Sequence, residues 1–156
     1  HVLTYQDLIW KKHSVGQTVA LIGAGGIGYD CAEFLAHNPN TIPTSLDKEA
    51  FFEQWGIDTT YKNRGAIKPK TSKLSTRKIY LLQRSTTKMG KDLGKTTGWI
   101  HRKSLNNKGI EMLTGVDYKA ITETGLVISI NGEEKTLEVD NVILCSGQIS
   151  NNELYY

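Results

Sequence analysis

At 156 residues, with 38% apolar and 22% charged residues and no low-complexity tract, the chain has the composition of one globular domain and not of a disordered segment. Its 19 Lys and Arg against 16 Asp and Glu leave a net charge of +3, mild enough to suit an anionic small ligand without demanding one. No apolar run approaches the roughly 20 residues of a membrane span, so a membrane is not expected among its partners.

Thr4-Tyr5-Gln6-Asp7 has the form of a capping box, and Leu8, Ile9 and Trp10 follow it as the apolar positions of a short helix that would end at Ser14-Val15-Gly16. Thr18 to Ile22 is a short apolar, β-branched run of the kind that forms a strand buried on both faces. From Ile27 to His37 the period becomes helical, with Ile27, Cys31, Phe34 and Leu35 on one face, and Asn38-Pro39 stops it. Residues 38 to 77 then form an insertion, predicted to hold a helix from Ser45 to Trp55 that starts at Thr44-Ser45-Leu46-Asp47 and ends at Gly56. A polar surface loop over 58 to 76 follows it.

Lys78 to Leu82 is the second strand and opens into Gln83-Arg84-Ser85. A helix is expected from Thr97 to Asn107, ended by Gly109, and a third strand from Ile110 to Leu113. Gly125 to Ile130 and Lys135 to Val139 alternate around Asn131-Gly132, a strong hairpin signal. The last strand, Asn141 to Cys145, runs into Ser146-Gly147-Gln148. Together these elements predict an α/β, Rossmann-type domain with a central parallel sheet, a β-hairpin or meander, and a helical insertion between the first helix and the second strand.

The chemistry concentrates in Gly23-Ala24-Gly25-Gly26-Ile27-Gly28, a GxGxxG that follows a buried strand and opens a helix. Gly23 suits the tight turn, Gly25 lets backbone approach a pyrophosphate, and Gly28 lets helix and strand pack closely. The helix start offers free N–H groups and a positive dipole end to the diphosphate. An acid at the end of the second strand would bind the ribose 2′-hydroxyl of NAD, but the strand ends in Gln83, Arg84 and Ser85, with Lys88 beyond. A guanidinium fork and an ammonium there favour the 2′-phosphate of NADPH. Ser146, Gly147 and Gln148 are expected on the nicotinamide side, and Arg102 in the crevice.

Other signals are weaker. Gly90 to Thr96 imitates a P-loop, yet three residues separate its glycines where four are required. His101 is expected to be a polar helix residue, and the roles of Lys95, Thr96 and Thr97 stay open. Cys31 and Cys145 have neither CxxC spacing nor a nearby His pair and are expected as reduced core residues, so no metal site is predicted. The cations Lys68, Lys70, Lys73, Arg77 and Lys78 lack interleaved aromatics and are expected to be a solvated loop, not a nucleic-acid surface.

Thr18 to Asp30 (TVALIGAGGIGYD), Gln54 to Asp58 (QWGID), Leu81 to Arg84 (LLQR), Leu93 to Arg102 (LGKTTGWIHR) and Asp140 to Gln148 (DNVILCSGQ) resemble the NADPH-dependent 2,4-dienoyl-CoA reductases of the old-yellow-enzyme-related flavoproteins. The resemblance spans nearly the whole chain, insertion included. It implies a longer protein in which NADPH reduces FAD, and electrons pass through a 4Fe-4S cluster to FMN in a (β/α)8 barrel where the dienoyl thioester is reduced. The barrel residues, the cluster cysteines and an FAD fingerprint are not in this chain, so it corresponds to the NADPH domain alone, over 15 to 147, and no catalytic residue is expected in it. Residues 1 to 14 and 148 to 156 are expected to connect to the FAD domain, a cytoplasmic location is expected, and the partners are the FAD and FMN domains of the same protein. A related flavoprotein of enoate reductase or amine dehydrogenase type, and a non-catalytic dinucleotide-sensing module, are the alternatives.

Overall fold

The computed structural model describes residues 1–71 and 73–155; Ser72, in the expected insertion, and Tyr156, in the expected final connector, lie outside the described residues. Five parallel strands form the central sheet: β1 (Val2–Thr4), β2 (Thr18–Ile22), β3 (Lys78–Leu82), β4 (Glu111–Leu113) and β8 (Asn141–Leu144), in the order β1-β8-β2-β3-β4. A second sheet of three antiparallel strands, β5 (Val116–Thr122), β6 (Gly125–Ile130) and β7 (Glu133–Glu138), is inserted between β4 and β8. The helices are α1 (Tyr5–Ile9), α2 (Gly26–Ala36), α3 (Lys48–Trp55) and α4 (Gly98–Asn107).

Strand side chains alternate between the faces of a sheet, and here the two faces feed two separate cores. Val19 and Leu21, Ile79 and Leu81, and Ile143 and Cys145 point to the helical side, where they meet Tyr29, Cys31, Ala32 and Leu35 of α2 and Leu105 of α4. Ala20, Tyr80, Leu82 and Val142 point to the other side and pack on Val116, Leu126, Ile128 and Leu137 of the antiparallel sheet. The domain is therefore three-layered, and the continuous apolar runs of β2, β3 and β8 reflect burial on both faces. This is the expected α/β fold with a central parallel sheet.

Several elements match their sequence signals closely. Thr4 caps α1 with a reciprocal box, its hydroxyl accepting from the Asp7 amide at 3.2 Å while the Asp7 carboxylate accepts from the Thr4 amide at 2.9 Å. Asn131 and Gly132, at φ 53° and 85°, make the turn of the β6–β7 hairpin. Others differ. The helix expected from Ser45 splits into a 3-10 turn over Thr44–Leu46 and α3, because the Asp47 carboxylate caps α3 by accepting from the Glu49 and Ala50 amides, both at 3.1 Å. Phe34 is half exposed, off the buried face that Cys31, Ala32 and Leu35 define. The strands β1 and β5 carry no clear sequence signal; β1 has three residues and borrows its register from β8.

Both cysteines are free and buried. They face one another across the α2–β8 contact: hydrogen bonding with the Cys31 sulfur and burial push the Cys145 thiol up, while the same bond holds Cys31 low. The basic run is largely engaged within the chain. Arg77 donates to the Gly16 and Leu35 carbonyls at 3.2 and 3.0 Å, Lys68 pairs with Glu53, Lys70 donates to Asn107, and Lys78 sits 5.0 Å from the Tyr80 ring centre.

The insertion is pinned by Asp58, which is 5% exposed and accepts four bonds, from the amide and hydroxyl of Thr60 and the amide and side chain of Asn63, at 2.6 to 3.0 Å. The Thr60 hydroxyl first, and then the Asn63 and Thr60 amides, hold its carboxyl well below the usual carboxylate range. A carboxylate lowered in the folded state stabilises fully above its unfolded value, near ~3.9, and that contribution is lost as the pH falls from there toward the native value. Acid is thus expected to open this loop before the sheet. Hydrogen exchange should show the Thr60 and Asn63 amides losing protection near pH 3 while the Leu21 and Leu81 amides keep it; Asp58→Ala should produce the same loss at neutral pH.

Candidate dinucleotide site

Parallel pairing brings the exits of three strands to one edge of the sheet. Ile22 lies opposite Leu82 and Leu144, the Gly23 amide donates to the Leu82 carbonyl at 3.1 Å, and the Cys145 amide donates to the Ile22 carbonyl at 2.9 Å. β2 continues to β3 on one side and has the last strand, β8, on the other. The crevice beside β2 is thus a topological switch point, where open α/β sheets bind ligands at the carboxyl ends of their strands.

The glycines of the loop divide into two kinds. Gly23, at φ +107°, abuts the β8 exit, and a Cβ there would lie 3.1 Å from the Cys145 carbonyl carbon and the Ser146 side chain. A Cβ on Gly28 would stand 1.9 Å from the Gly23 carbonyl oxygen, which is how closely α2 crosses the loop. Gly25 and Gly26 are exposed, and a Cβ on either would meet nothing within 4 Å. Gly25 is the N-cap of α2 and makes no side-chain cap bond, and the first turn contains no acid. Ala24 and Ile27 are partly buried against the helical-side core and hold the loop to it. The result is an open cradle of backbone donors at the positive end of an 11-residue helix, and a diphosphate fits its chemistry.

At the β3 exit, Gln83 and Ser85 shape their own loop: the Gln83 amide group donates to the Ser85 and Thr87 carbonyls at 3.0 and 2.9 Å, and the Ser85 and Thr87 hydroxyls lie 2.9 Å apart. Arg84 is exposed, with its guanidinium acting on Tyr118 of β5; burial pushes the Tyr118 phenol up to about 12 and the Arg84 charge partly opposes this. Tyr118 was not legible as a site residue, because β5 has no signal of its own. At the β8 exit, Ser146, Gly147 and Gln148 are exposed, Gly147 has φ +81°, and Gln148 accepts a bond from the Tyr5 hydroxyl of α1 at 3.2 Å. Lys88 and Arg102 come together elsewhere, in a pocket of about 630 Å³ that no residue of the glycine loop lines.

His101, Lys95, Thr96 and Thr97 are exposed on and before α4. Among the described residues, no group of three or more His, Cys, Asp or Glu is arranged to hold a metal ion, and no helix is long and apolar enough to cross a membrane.

Comparison with known proteins places this arrangement. The chain is 27% identical over 155 residues to a metal reductase of Desulforamulus reducens, covering 99% of this chain and 22% of that protein. Over a shorter stretch of 54 residues it is 33% identical to a mercuric reductase of Staphylococcus aureus, covering 32% of this chain and 10% of that protein. It thus spans about a fifth of the first relative's length and a tenth of the second's. Among solved structures, a 2-naphthoyl-CoA reductase matches with TM-score 0.66 at 19% identity, over 98% of this chain and 18% of that one. A histamine dehydrogenase from Rhizobium sp. 4-9 matches with TM-score 0.62 at 15% identity, over 99% of this chain and 19% of that one. The model of the pyridine nucleotide-disulphide oxidoreductase family matches residues 4–156. With its parallel sheet, its glycine loop at the switch point and this match over nearly its whole length, the chain belongs to the pyridine nucleotide-disulphide oxidoreductases, as a nucleotide-binding domain of that flavin-dependent oxidoreductase family.

Proposed function

We propose that the chain is the NADPH-binding domain of a longer flavin and iron-sulfur oxidoreductase that reduces 2,4-dienoyl-CoA thioesters in unsaturated fatty acid β-oxidation. Its own task is to present NADPH to an FAD held by the neighbouring domain. The observation that carries this reading is the pairing of an open glycine cradle with a β3 exit that bears Arg84 and no acid. In this arrangement the α2 N-terminus and Gly25 and Gly26 hold the diphosphate, and Arg84 beside Tyr118 takes the 2′-phosphate. Ser146, Gly147 and the Tyr5-anchored Gln148 border the nicotinamide side. When bound, the dinucleotide supplies hydride; the chain supplies position, on which transfer between two cofactors depends. The FAD, FMN and 4Fe-4S groups belong to the rest of the protein, as does the thioester site.

Calorimetric titration with NADPH and, separately, NADH tests this. NADPH should bind more tightly, and Arg84→Ala should weaken it about tenfold, since an exposed charge-assisted pair with phosphate is worth about 1.5 kcal/mol. NADH binding should be nearly unchanged by the substitution. Equal affinity for both dinucleotides in the unmodified chain would remove the NADPH assignment and favour a related flavoprotein using NADH, of enoate reductase or amine dehydrogenase type. Binding of neither would overturn the role of the cradle in this chain.

A further inference from the structure

The pocket that brings Lys88 and Arg102 together lies between the end of α3 and the outer face of α4. Trp55, Met89 and Trp99 give it an apolar lining, and Lys88, Arg102 and Lys103 give it charge. Its volume of about 630 Å³ falls within the range of small-molecule sites. Among the described residues no carboxylate lines it, although the chain has 16 acids. Glu33 of the neighbouring helix α2 is taken up by Ser104 and Lys108 on another part of α4. Arg102 is fixed by one bond, from Nη1 to the Gly90 carbonyl at 3.0 Å, which leaves four of its five N–H donors for another acceptor.

Trp99 is 56% exposed, a large aromatic face left in solvent beside three cations. Positive charge is also crowded along this seam: desolvation and then the neighbouring Lys103 ammonium hold Lys70 below its ordinary value. Flat aromatic surface next to an arginine fork and two ammoniums is what a nucleobase carrying phosphate needs, because the base stacks and the phosphate accepts charged hydrogen bonds.

We propose that this pocket is a second nucleotide site, separate from the dinucleotide crevice, that takes a nucleoside phosphate, with the base on Trp99 and Trp55 and the phosphate on Arg102, Lys103 and Lys88. The same chemistry is offered by free nucleotides and by the phosphorylated adenosine end of an acyl-CoA thioester.

The test is calorimetry on the 156-residue chain with adenosine 3′,5′-bisphosphate, coenzyme A and AMP, in the absence and presence of saturating NADPH, with melting curves to establish that each variant folds. Adenosine 3′,5′-bisphosphate should bind with and without NADPH. Trp99→Ala and Lys103→Glu should each weaken it about tenfold, Trp99→Phe should keep most of the affinity, and Arg84→Ala should leave it unchanged. Coenzyme A binding at least as tightly as the bisphosphate upholds the site and assigns it to thioesters; AMP binding in preference to coenzyme A upholds it and assigns it to free nucleotides. Displacement of the bisphosphate by NADPH, its loss in Arg84→Ala, or indifference to both Trp99→Ala and Lys103→Glu would overturn the proposal. These outcomes are independent of whether NADPH is preferred over NADH in the crevice.

Discussion

Gly28→Ala is expected to destabilise the domain by about 3 kcal/mol or more, and Gly25→Ala to leave it folded while weakening dinucleotide binding at least about tenfold. Within a helix, glycine to alanine ordinarily stabilises by roughly 0.5–1 kcal/mol. At Gly28 the sign reverses, because the new methyl would stand 1.9 Å from the Gly23 carbonyl oxygen, a backbone atom of a turn that leaves β2 and is tied to β3 through the Leu82 carbonyl. Relief requires α2 to move off the sheet, and α2 contributes Tyr29, Cys31, Ala32 and Leu35 to the helical-side core. For a chain of this length, 3 kcal/mol corresponds to a melting-temperature drop of about 6–12 °C. At Gly25 a methyl meets nothing within 4 Å, and the backbone, at φ −79° and ψ −171°, accepts alanine. The melting temperature should then change by no more than about 4 °C, the cost of about 1 kcal/mol at an N-cap. The methyl does occupy the space through which a pyrophosphate would approach the helix end. Differential scanning calorimetry and dinucleotide titration on both variants separate the roles. Unchanged binding in Gly25→Ala would mean that the open side of the cradle is not where the diphosphate sits.

That division of labour within one motif was only half legible in the sequence. The spacing of Gly23, Gly25 and Gly28 after a buried strand pointed to the loop and its ligand class, because each position answers a distinct geometric demand. The strands β2, β3 and β8 were legible for a similar reason: burial on both faces leaves an uninterrupted apolar run that few other structures produce. Arg84 was legible as a cation where an acid would otherwise stand. Its neighbour Tyr118 was not, because β5 has exposed residues at four of its seven positions and receives its register from β6 across an irregularity at Tyr118 and Ala120. The clustering of Trp55 with Trp99 and Lys103 was equally hidden, since residues 44 positions apart meet only when the insertion folds back onto α4. What the sequence conceals here is long-range pairing of exposed elements, which have no periodic signature to betray their partners.

Leu81→Ala is expected to cost about 2–5 kcal/mol, and it bears on why the glycine loop keeps its shape. Leu81, the fourth of the five residues of β3, is fully buried on the helical side, and its Cδ1 lies 3.3 Å from where a Cβ on Gly28 would be. It therefore forms the floor beneath the first turn of α2. Truncation removes apolar contact and leaves a cavity there, so the melting temperature should fall by about 7–14 °C at the middle of that range, with dinucleotide affinity falling as the loop loses its support. Such a cavity invites the idea that Leu81→Ala would make room for alanine at position 28. It should not, because the nearest obstruction to that methyl is the Gly23 carbonyl at 1.9 Å, and shortening Leu81 leaves it in place. The two positions are in contact, so their effects need not add, but the double variant Gly28→Ala/Leu81→Ala is accordingly expected to be no more stable than Gly28→Ala alone, by chemical denaturation. A double variant more stable than Gly28→Ala alone would show that side-chain packing against Leu81, not the turn's backbone, sets the requirement for glycine.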